Sequence, residues 1–409
     1  MTLGLDPDEL VSCVACGLCL PHCPTYRVTG LEVASPRGRI AAMRAVEAGT
    51  VALDEDFVAA MDACVQCRGC EAACPSAVPF GHLMEGTRAA LVDGGLARGR
   101  ADRRVAEWFA LRIVLPRHAL LVALSWLLLG LQRVRAVPER FAIPRLSAAE
   151  LARRLRPTAG GIPDAYLFPG CVMDAWQRPM HRAALRVMEA AGATVALPGR
   201  GADCCGALHL HAGRRDDARR LARRVIASMP GEAAIVVDSA GCGAAMKDYG
   251  RLLGTPDATA FSDRVRDFSE WLAGTGWRPP RATGTAVVVQ DPCHLRHVQG
   301  CADHVRTVLA PAYRIVEPDD DGLCCGAGGS YLVTHRELAT EIRDRKVAAL
   351  RDAAGAGDPV VVSANPGCSM HLLAAGLLVK HPAELLAATL EDDVPEDRTT
   401  VDRTTDHDG

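Results

Sequence analysis

"CVACGLCLPHCP", residues 13–24, is answered further along the chain by "CVQCRGCEAACP", residues 64–75. Both fit C-x2-C-x2-C-x3-C-P, the run whose thiolates hold a cubane [4Fe–4S] cluster. A zinc site also takes four sulfurs, but it does not ask for this third and fourth spacing. Where two such runs share a chain, the fourth cysteine crosses to the other cluster. One cluster is therefore expected on Cys13, Cys16, Cys19 and Cys74, the other on Cys64, Cys67, Cys70 and Cys23. Pro24 and Pro75 hold the chain ahead of them extended and turn it away from the cluster. Gly17 and Gly69 are expected to let backbone N–H groups approach the sulfurs. His22 and His82 are read as solvated, because the cysteines already complete both ligand sets.

The forty residues between Cys23 and Cys64 read as helices. "SPRGRIAAMRAVEAG" offers Ser35 as N-cap, Pro36 in the first turn and Gly49 as a stop, and "DEDFVAAMDAC" starts on Asp54.

The whole chain has 409 residues, enough for two or three domains. Its 46 basic and 49 acidic residues leave a net charge of −3, which provides no field for gripping phosphates and excludes nucleic acid as an expected partner. The opening "MTLGLDPDELVSC" lacks a basic n-region and an apolar h-region, so a cytoplasmic location is expected. Disulfides are disfavoured there. Seventeen cysteines is an odd number, and they fall in tight clusters that suit metal or redox duty.

Composition divides the chain into a cysteine-rich helical stretch, 1–95, and a cysteine-free helical connector and linker, 96–160, closed by Pro138, Pro144, Pro157 and Gly160-Gly161. Two cysteine-bearing α/β units, 161–280 and 281–390, follow, and then an acidic tail, 391–409, expected to be disordered. Within the connector, "ALLVALSWLLLGL" at 119–131 is the most apolar run. As a helix it covers roughly 20 Å against about 30 Å of hydrocarbon, too little to span. It is expected to be buried or partner-facing, with a helix lying in the membrane interface as the alternative.

The region 161–390 repeats itself. "DAYLFPG", "ATVALPG" and "AAIVVDSAG" lead into Cys171, Cys204-Cys205 and Cys242; "TAVVVQDP", "YRIVEPDDDGL" and "PVVVSANPG" lead into Cys293, Cys324-Cys325 and Cys368. Helical patterns such as "HRAALRVMEAAG" and "RELATEIRDRKVAALRDAAG" lie between them. Strand, loop, helix, strand is the pattern of parallel α/β units, which bind ligands on loops at the carboxyl ends of strands. Every cysteine of this region except Cys301 is expected on such a loop, and Cys301 is read as a structural residue on a helix.

These cysteines, with Gly206 and Gly326 after the doublets, resemble the twin CCG domains of the heterodisulfide reductase family. The stretch 1–95 resembles the helical ferredoxin domains of succinate dehydrogenase and heterodisulfide reductase subunits. "CPTYRVTGLEVASPRGRI", "CPSAVPFGHLMEGTRAAL", "SAGCGAAMKDYG", "DPCHLRHVQG", "LCCGAGGSYLV" and "SANPGCSMHL" together resemble the iron–sulfur subunits of bacterial glycolate oxidase, over nearly the whole chain except the tail. Anaerobic glycerol-3-phosphate dehydrogenase iron–sulfur subunits and lactate-utilisation proteins share parts of this succession. The implied fold class is α plus α/β: an N-terminal helical two-cluster ferredoxin domain followed by two repeated parallel α/β CCG domains.

Adjacent thiols on a turn can reach two irons of one cluster, and the following glycine is expected to let backbone pass close to sulfide. A helix beginning there adds its positive end and favours thiolate. The reductase pattern closes with C-x-x-C, but here Ala245 follows Cys242 and His371 follows Cys368 at that interval. Each half thus supplies four cysteines where the non-cubane reductase cluster uses five thiolates, with His371 a candidate substitute. A further iron–sulfur or metal centre is expected in at least one CCG half. His209, His211, His294 and His297 are candidates for moving protons or binding a quinone.

No G-x-G-x-x-G or P-loop marks a flavin or nucleotide site, and "GAGGS" at 326–330 is accounted for by the CCG motif. No catalytic residue is assigned. The glycolate oxidase resemblance implies an electron-transfer subunit beside a glycolate-oxidising flavoprotein and a second flavin-type subunit, passing electrons to a quinone-type acceptor, with peripheral placement on the inner face of the cell membrane as an option. The alternatives are a heterodisulfide reductase-like catalytic subunit, the equivalent subunit of a lactate or glycerol-3-phosphate dehydrogenase, and a scaffold whose clusters never cycle.

Overall fold

Short β-branched runs form the strands on which the second part of the chain is built. In the computed structural model, which describes residues 2–96, 101–137, 144–153, 155–157, 162–355 and 357–390, they assemble into two parallel sheets. The expected acidic tail at 391–409 and the linker residues Pro138 and Gly160-Gly161 lie outside these residues.

Strands β1 (Ala165–Phe168), β2 (Val195–Ala196), β3 (Ala234–Val237) and β4 (Val265–Asp267) lie in the order β2-β1-β3-β4. Strands β5 (Ala286–Val289), β6 (Arg314–Val316), β7 (Val360–Val362) and β8 (Leu378–Lys380) repeat it as β6-β5-β7-β8. Ala165 pairs with Ala234 in the first sheet and Val288 with Val361 in the second. The central strands are buried on both faces, as parallel strands covered by helices must be. In each sheet the chain reverses its direction of travel between the two central strands, which opens a crevice at their carboxyl ends. Cys171 and Cys242 follow β1 and β3; Cys293 and Cys368 follow β5 and β7.

Two expectations are corrected. Cys242 and Cys368 lie inside the first turns of helices Ala240–Lys247 and Pro366–Leu373, not on loops, because the chain turns into a helix as soon as each strand ends. Cys301 precedes helix Asp303–Leu309 in a non-helical segment, where it is buried in apolar core. The two α/β units pack on one another. Leu167, Met188 and Val236 of the first share one core with Val287, Val289 and Leu386 of the second, and helix Arg178–Ala190 packs on Pro382–Ala388.

The N-terminal region is helical, with Pro24–Thr29, Pro36–Glu47, Glu55–Asp62 and Phe80–Asp93 around Ile40, Met43, Phe57, Met61 and Leu83. Ser35 Oγ accepts from the Gly38 N–H at 3.0 Å and Asp54 Oδ1 from the Phe57 N–H at 2.8 Å, which fixes where two of these helices begin. Gly49, at φ 70°, follows the end of the first.

The connector is helical. Ala101–Phe109 runs through a π-helical turn, Ala110–Val114, to helix His118–Arg133. Leu121, Ser125 and Leu129 of the last helix face inward, whereas Trp126, Leu127 and Leu131 are exposed. It is therefore buried on one face only. No described helix is long and apolar enough to cross a membrane. His118 Nε2 meets Asp174 Oδ2 at 2.5 Å, and Trp176 Nε1 donates to Ser125 Oγ at 2.9 Å, so the last helix is fastened to the first α/β unit.

Candidate redox site

Both N-terminal motifs coil in the same way. Ala15 and Gly17 in the first, and Gln66 and Arg68 in the second, have φ between 56° and 87° at matching positions. Gly69 does not take this conformation. It starts helix Gly69–Ala72, and the counterpart of Gly17 is Arg68, whose Nε bonds Glu71 Oε2 at 2.7 Å. The left-handed turn aims the Gln66 N–H at Cys64 Sγ, 3.4 Å away, a donor of the kind that stabilises a thiolate.

A small enclosure is lined by Cys23, Cys64, Cys67 and Cys70 together with Arg39 and Phe80. Cys23, from the first motif, stands with the three leading cysteines of the second. Cys13, Cys19 and Cys74 pack around the neighbouring apolar core, while Cys16 is exposed. Among the described residues no three His, Cys, Asp or Glu side chains close on one point as ligands of a single ion. A four-iron cube is gripped at separate corners and asks for no such convergence. The residues present fit that group: four sulfurs around an enclosure, an N–H aimed at one of them, and a buried cation beside them.

Three arginines complete this arrangement and escaped sequence reasoning. Arg39, 1% exposed, donates to Ala60 O, Ala34 O and Thr25 Oγ1, and Thr25 Oγ1 lies 3.2 Å from Cys23 Sγ. Arg44 donates to the carbonyls of Leu10 and Cys13. Arg88 bonds the carbonyls of Met61 and Cys64 and, across the domain boundary, that of His211 at 2.7 Å. The signal was present in Arg39, which interrupts an otherwise apolar helix face carrying Ile40, Met43 and Val46.

The eight remaining candidate cysteines line one cavity of about 490 Å³ between the two α/β units. In the first unit Cys171 packs with the cluster of Cys204, and Cys242 with that of Cys205. In the second Cys293 packs with the cluster of Cys324, and Cys325 shares one with Cys368. The chain repeat is thus a repeat of cysteine packing. The units are pinned at its edge by Ala240 N–H donating to Ala364 O at 3.0 Å and Gly241 N–H to Asn365 Oδ1 at 3.1 Å. A further contact leads out, because Cys67 packs against the apolar cluster that contains Cys324.

The CCG glycines are closely packed. Gly206 and Gly326 have φ of 84° and 82°, and a Cβ on them would lie 3.3 Å from Ala218 Cα and 2.5 Å from the Ala339 carbonyl oxygen. Their bare edge faces a neighbouring helix, which seats the doublet. A helix, Ala207–His211, begins directly after the first doublet only; the second is followed by turns at Gly328 and Gly329 before Tyr331–Thr334.

The histidines divide. His211 and His294 line the cavity with ring centroids 5.3 Å apart, and His294 Nε2 lies 3.0 Å from Gln66 O, between two motif cysteines. His371 also lines it, held by an Nε2 contact of 3.1 Å to Ala339 O with buried Nδ1 unpartnered. His209 instead bonds Leu111 O at 2.7 Å, and His297 sits near Gly69. His82 is half-buried, 3.5 Å from Glu9. His22, also half-buried, borders the small enclosure.

Residues 9–78 match the 4Fe-4S dicluster domain, and residues 165–247 and 287–373 each match the cysteine-rich CCG domain. The probable glycolate oxidase iron-sulfur subunit of Bacillus subtilis (strain 168) is 32% identical, over 90% of this chain and 89% of its own length. The glycolate oxidase iron-sulfur subunit of Escherichia coli (strain K12) is 31% identical, over 95% and 96%. This chain belongs to the family of glycolate oxidase iron–sulfur subunits. Its cofactor class is therefore iron–sulfur, and the family's fold is the α plus α/β arrangement read from the sequence. A more distant relative is a dihydromethanophenazine:CoB–CoM heterodisulfide reductase subunit of Methanosarcina acetivorans, 26% identical over 89% of this chain and 88% of its own.

Proposed function

We propose that this chain is the electron-transfer subunit of a complex that oxidises glycolate to glyoxylate. The observation that carries the reading is the packing of Cys67 against the cluster that contains Cys324, which brings the dicluster motif to the edge of the CCG cavity. Cys13, Cys16, Cys19 and Cys74 hold one cluster, and Cys64, Cys67, Cys70 and Cys23 the other. Bound there, [4Fe–4S] clusters supply reversible one-electron steps. Arg39, Arg44 and Arg88 orient the ligand loops and offset negative charge on them. Cys171, Cys204, Cys205, Cys242, Cys293, Cys324, Cys325 and Cys368 hold a further metal centre in the cavity.

The electrons come from a flavoprotein subunit that oxidises glycolate beside a second flavin-type subunit, and they leave to a quinone-type acceptor. The complex sits in the cytoplasm, peripherally on the inner membrane face. Reconstituting the flavin subunits with and without this chain tests the reading. Glycolate-driven reduction of the acceptor should need this chain; full acceptor reduction without it sinks the proposal.

A second reading makes the CCG cavity catalytic toward a disulfide. The eight cysteines facing one enclosed space favour it. Ala245 and His371, where the fifth thiolates of the reductase pattern would stand, speak against it. Disulfide-dependent reoxidation of the reduced chain, without flavin subunits, separates the two.

A further inference from the structure

The connector carries an apolar surface that the redox site does not use. On helix His118–Arg133 and the residue after it, Ala119, Ala123, Trp126, Leu127, Leu131 and Val134 are all exposed. They recur at intervals of three and four, so they form one stripe along the helix. The opposite stripe, Leu121, Ser125 and Leu129, packs on the protein. Trp108 and Phe109, at the end of the preceding helix, are exposed by 42% and 47%. Scattered exposed apolar residues are normal, but a stripe running the length of a helix around an exposed tryptophan marks an interaction surface.

Charge identifies what covers it. Residues 108–137 contain four arginines and no Asp or Glu. Arg112 and Arg117 lie exposed at one end of the stripe, Arg133 and Arg135 at the other. An apolar band with aromatic residues, bounded at both ends by guanidinium groups, complements acyl chains lying beneath anionic headgroups. At 16 residues the helix is too short to span and can lie in the plane of the interface.

We infer that helix His118–Arg133 is a docking surface for an anionic lipid bilayer. The Trp176–Ser125 bond fixes this helix to the wall of the cysteine-lined cavity, because Trp176 is part of that wall. Docking therefore orients the cavity toward the membrane side. The inference deepens the membrane placement offered with the electron-transfer reading and rests on it for its purpose. Its test needs no turnover, so either can fail alone.

The test is co-sedimentation of the anaerobically prepared full chain with vesicles of phosphatidylcholine alone or mixed with phosphatidylglycerol. Binding should appear on the mixed vesicles and weaken with salt. Trp126→Ser with Leu127→Ser should lower the bound-to-free ratio at least tenfold, and Arg133→Ser with Arg135→Ser by roughly fivefold per arginine on the mixed vesicles. Retained cluster absorbance and unchanged transfer to a water-soluble dye show that the variants are folded. Absence of wild-type binding, equal binding to both vesicle types, or binding unmoved by either double variant overturns the inference. So does a stripe that binds only a partner subunit and leaves vesicles untouched.

Discussion

Cys67, in the second cluster motif, packs against the apolar cluster that holds Cys324, in the second CCG loop. Residues 257 positions apart in the chain thus bring the edges of two sulfur-lined sites into contact. If electrons pass here, Cys324→Ala should leave the dicluster signals intact in electron paramagnetic resonance. The reduced dicluster should then accumulate while acceptor reduction slows at least tenfold in stopped-flow traces. Unchanged transfer would place the route elsewhere.

The crossing of the fourth cysteines makes an asymmetric prediction. Cys23 borders the enclosure of Cys64, Cys67 and Cys70, so Cys23→Ser should impair the cluster of the second motif, although Cys23 belongs to the first. Cys74→Ser should impair the other. Mössbauer or resonance spectra of the two variants should show complementary losses, and the reverse assignment would refute the crossing.

Gly206 and Gly326 serve the same role in the two halves under different crowding. Gly206→Ala should cost about 1–2 kcal/mol, the expense of a left-handed backbone with a side chain. Gly326→Ala should cost about 3 kcal/mol or more, because its Cβ would press on the Ala339 carbonyl oxygen from 2.5 Å. Thermal unfolding under anaerobic conditions reads the order. Equal losses would mean that crowding at Ala339 is relieved by a shift of helix Arg336–Ala354.

Arg39 is a buried cation beside Cys23 and lines the enclosure. Reduction adds negative charge there, so Arg39→Gln should lower the reduction potential of the adjacent cluster. Each ~1 kcal/mol of lost charge stabilisation corresponds to roughly 40 mV for a one-electron couple. A redox titration showing an unchanged or raised potential would contradict this.

Asp267 caps helix Phe268–Thr275, is 1% exposed, and has a buried Oδ2 without a partner. Burial raises its carboxyl to about 7, against the pull of the Ser269 N–H and Lys247 and with the push of Glu270 and Asp238. A raised folded pKa means that its contribution to stability is full below about 3.9, the value for a free Asp. That contribution is lost as pH climbs to about 7. Asp267→Asn should flatten this slope, which is at most about 1.4 kcal/mol per pH unit. The melting-temperature difference, Asn minus Asp, should grow between about pH 5 and pH 8. A constant difference would show that the carboxylate is charged throughout.

The sequence announced the sites that depend on local spacing. The two C-x2-C-x2-C-x3-C runs, the Ser35 and Asp54 caps and the six leading strands are written in neighbouring residues, and the structure contains them. What depends on distant partners was hidden. Strands β4 and β8, Val-Arg-Asp and Leu-Val-Lys, each end on a charged residue and lead into no cysteine, so nothing sets them apart from the helices that flank them. Arg39, Arg44 and Arg88 act on carbonyls up to 123 positions away, and no local pattern encodes that reach. A glycine is the usual mark of a left-handed residue, so the second motif points to Gly69. Here Arg68, pinned by Glu71, occupies that conformation instead.

The core common to both α/β units makes each half a condition of the other. A lone half would keep its strands but lose the partner of Leu167 and Met188 or of Val287 and Leu386, leaving an oily face open to water. Severing the chain between the units would therefore leave two pieces that are soluble only in each other's company.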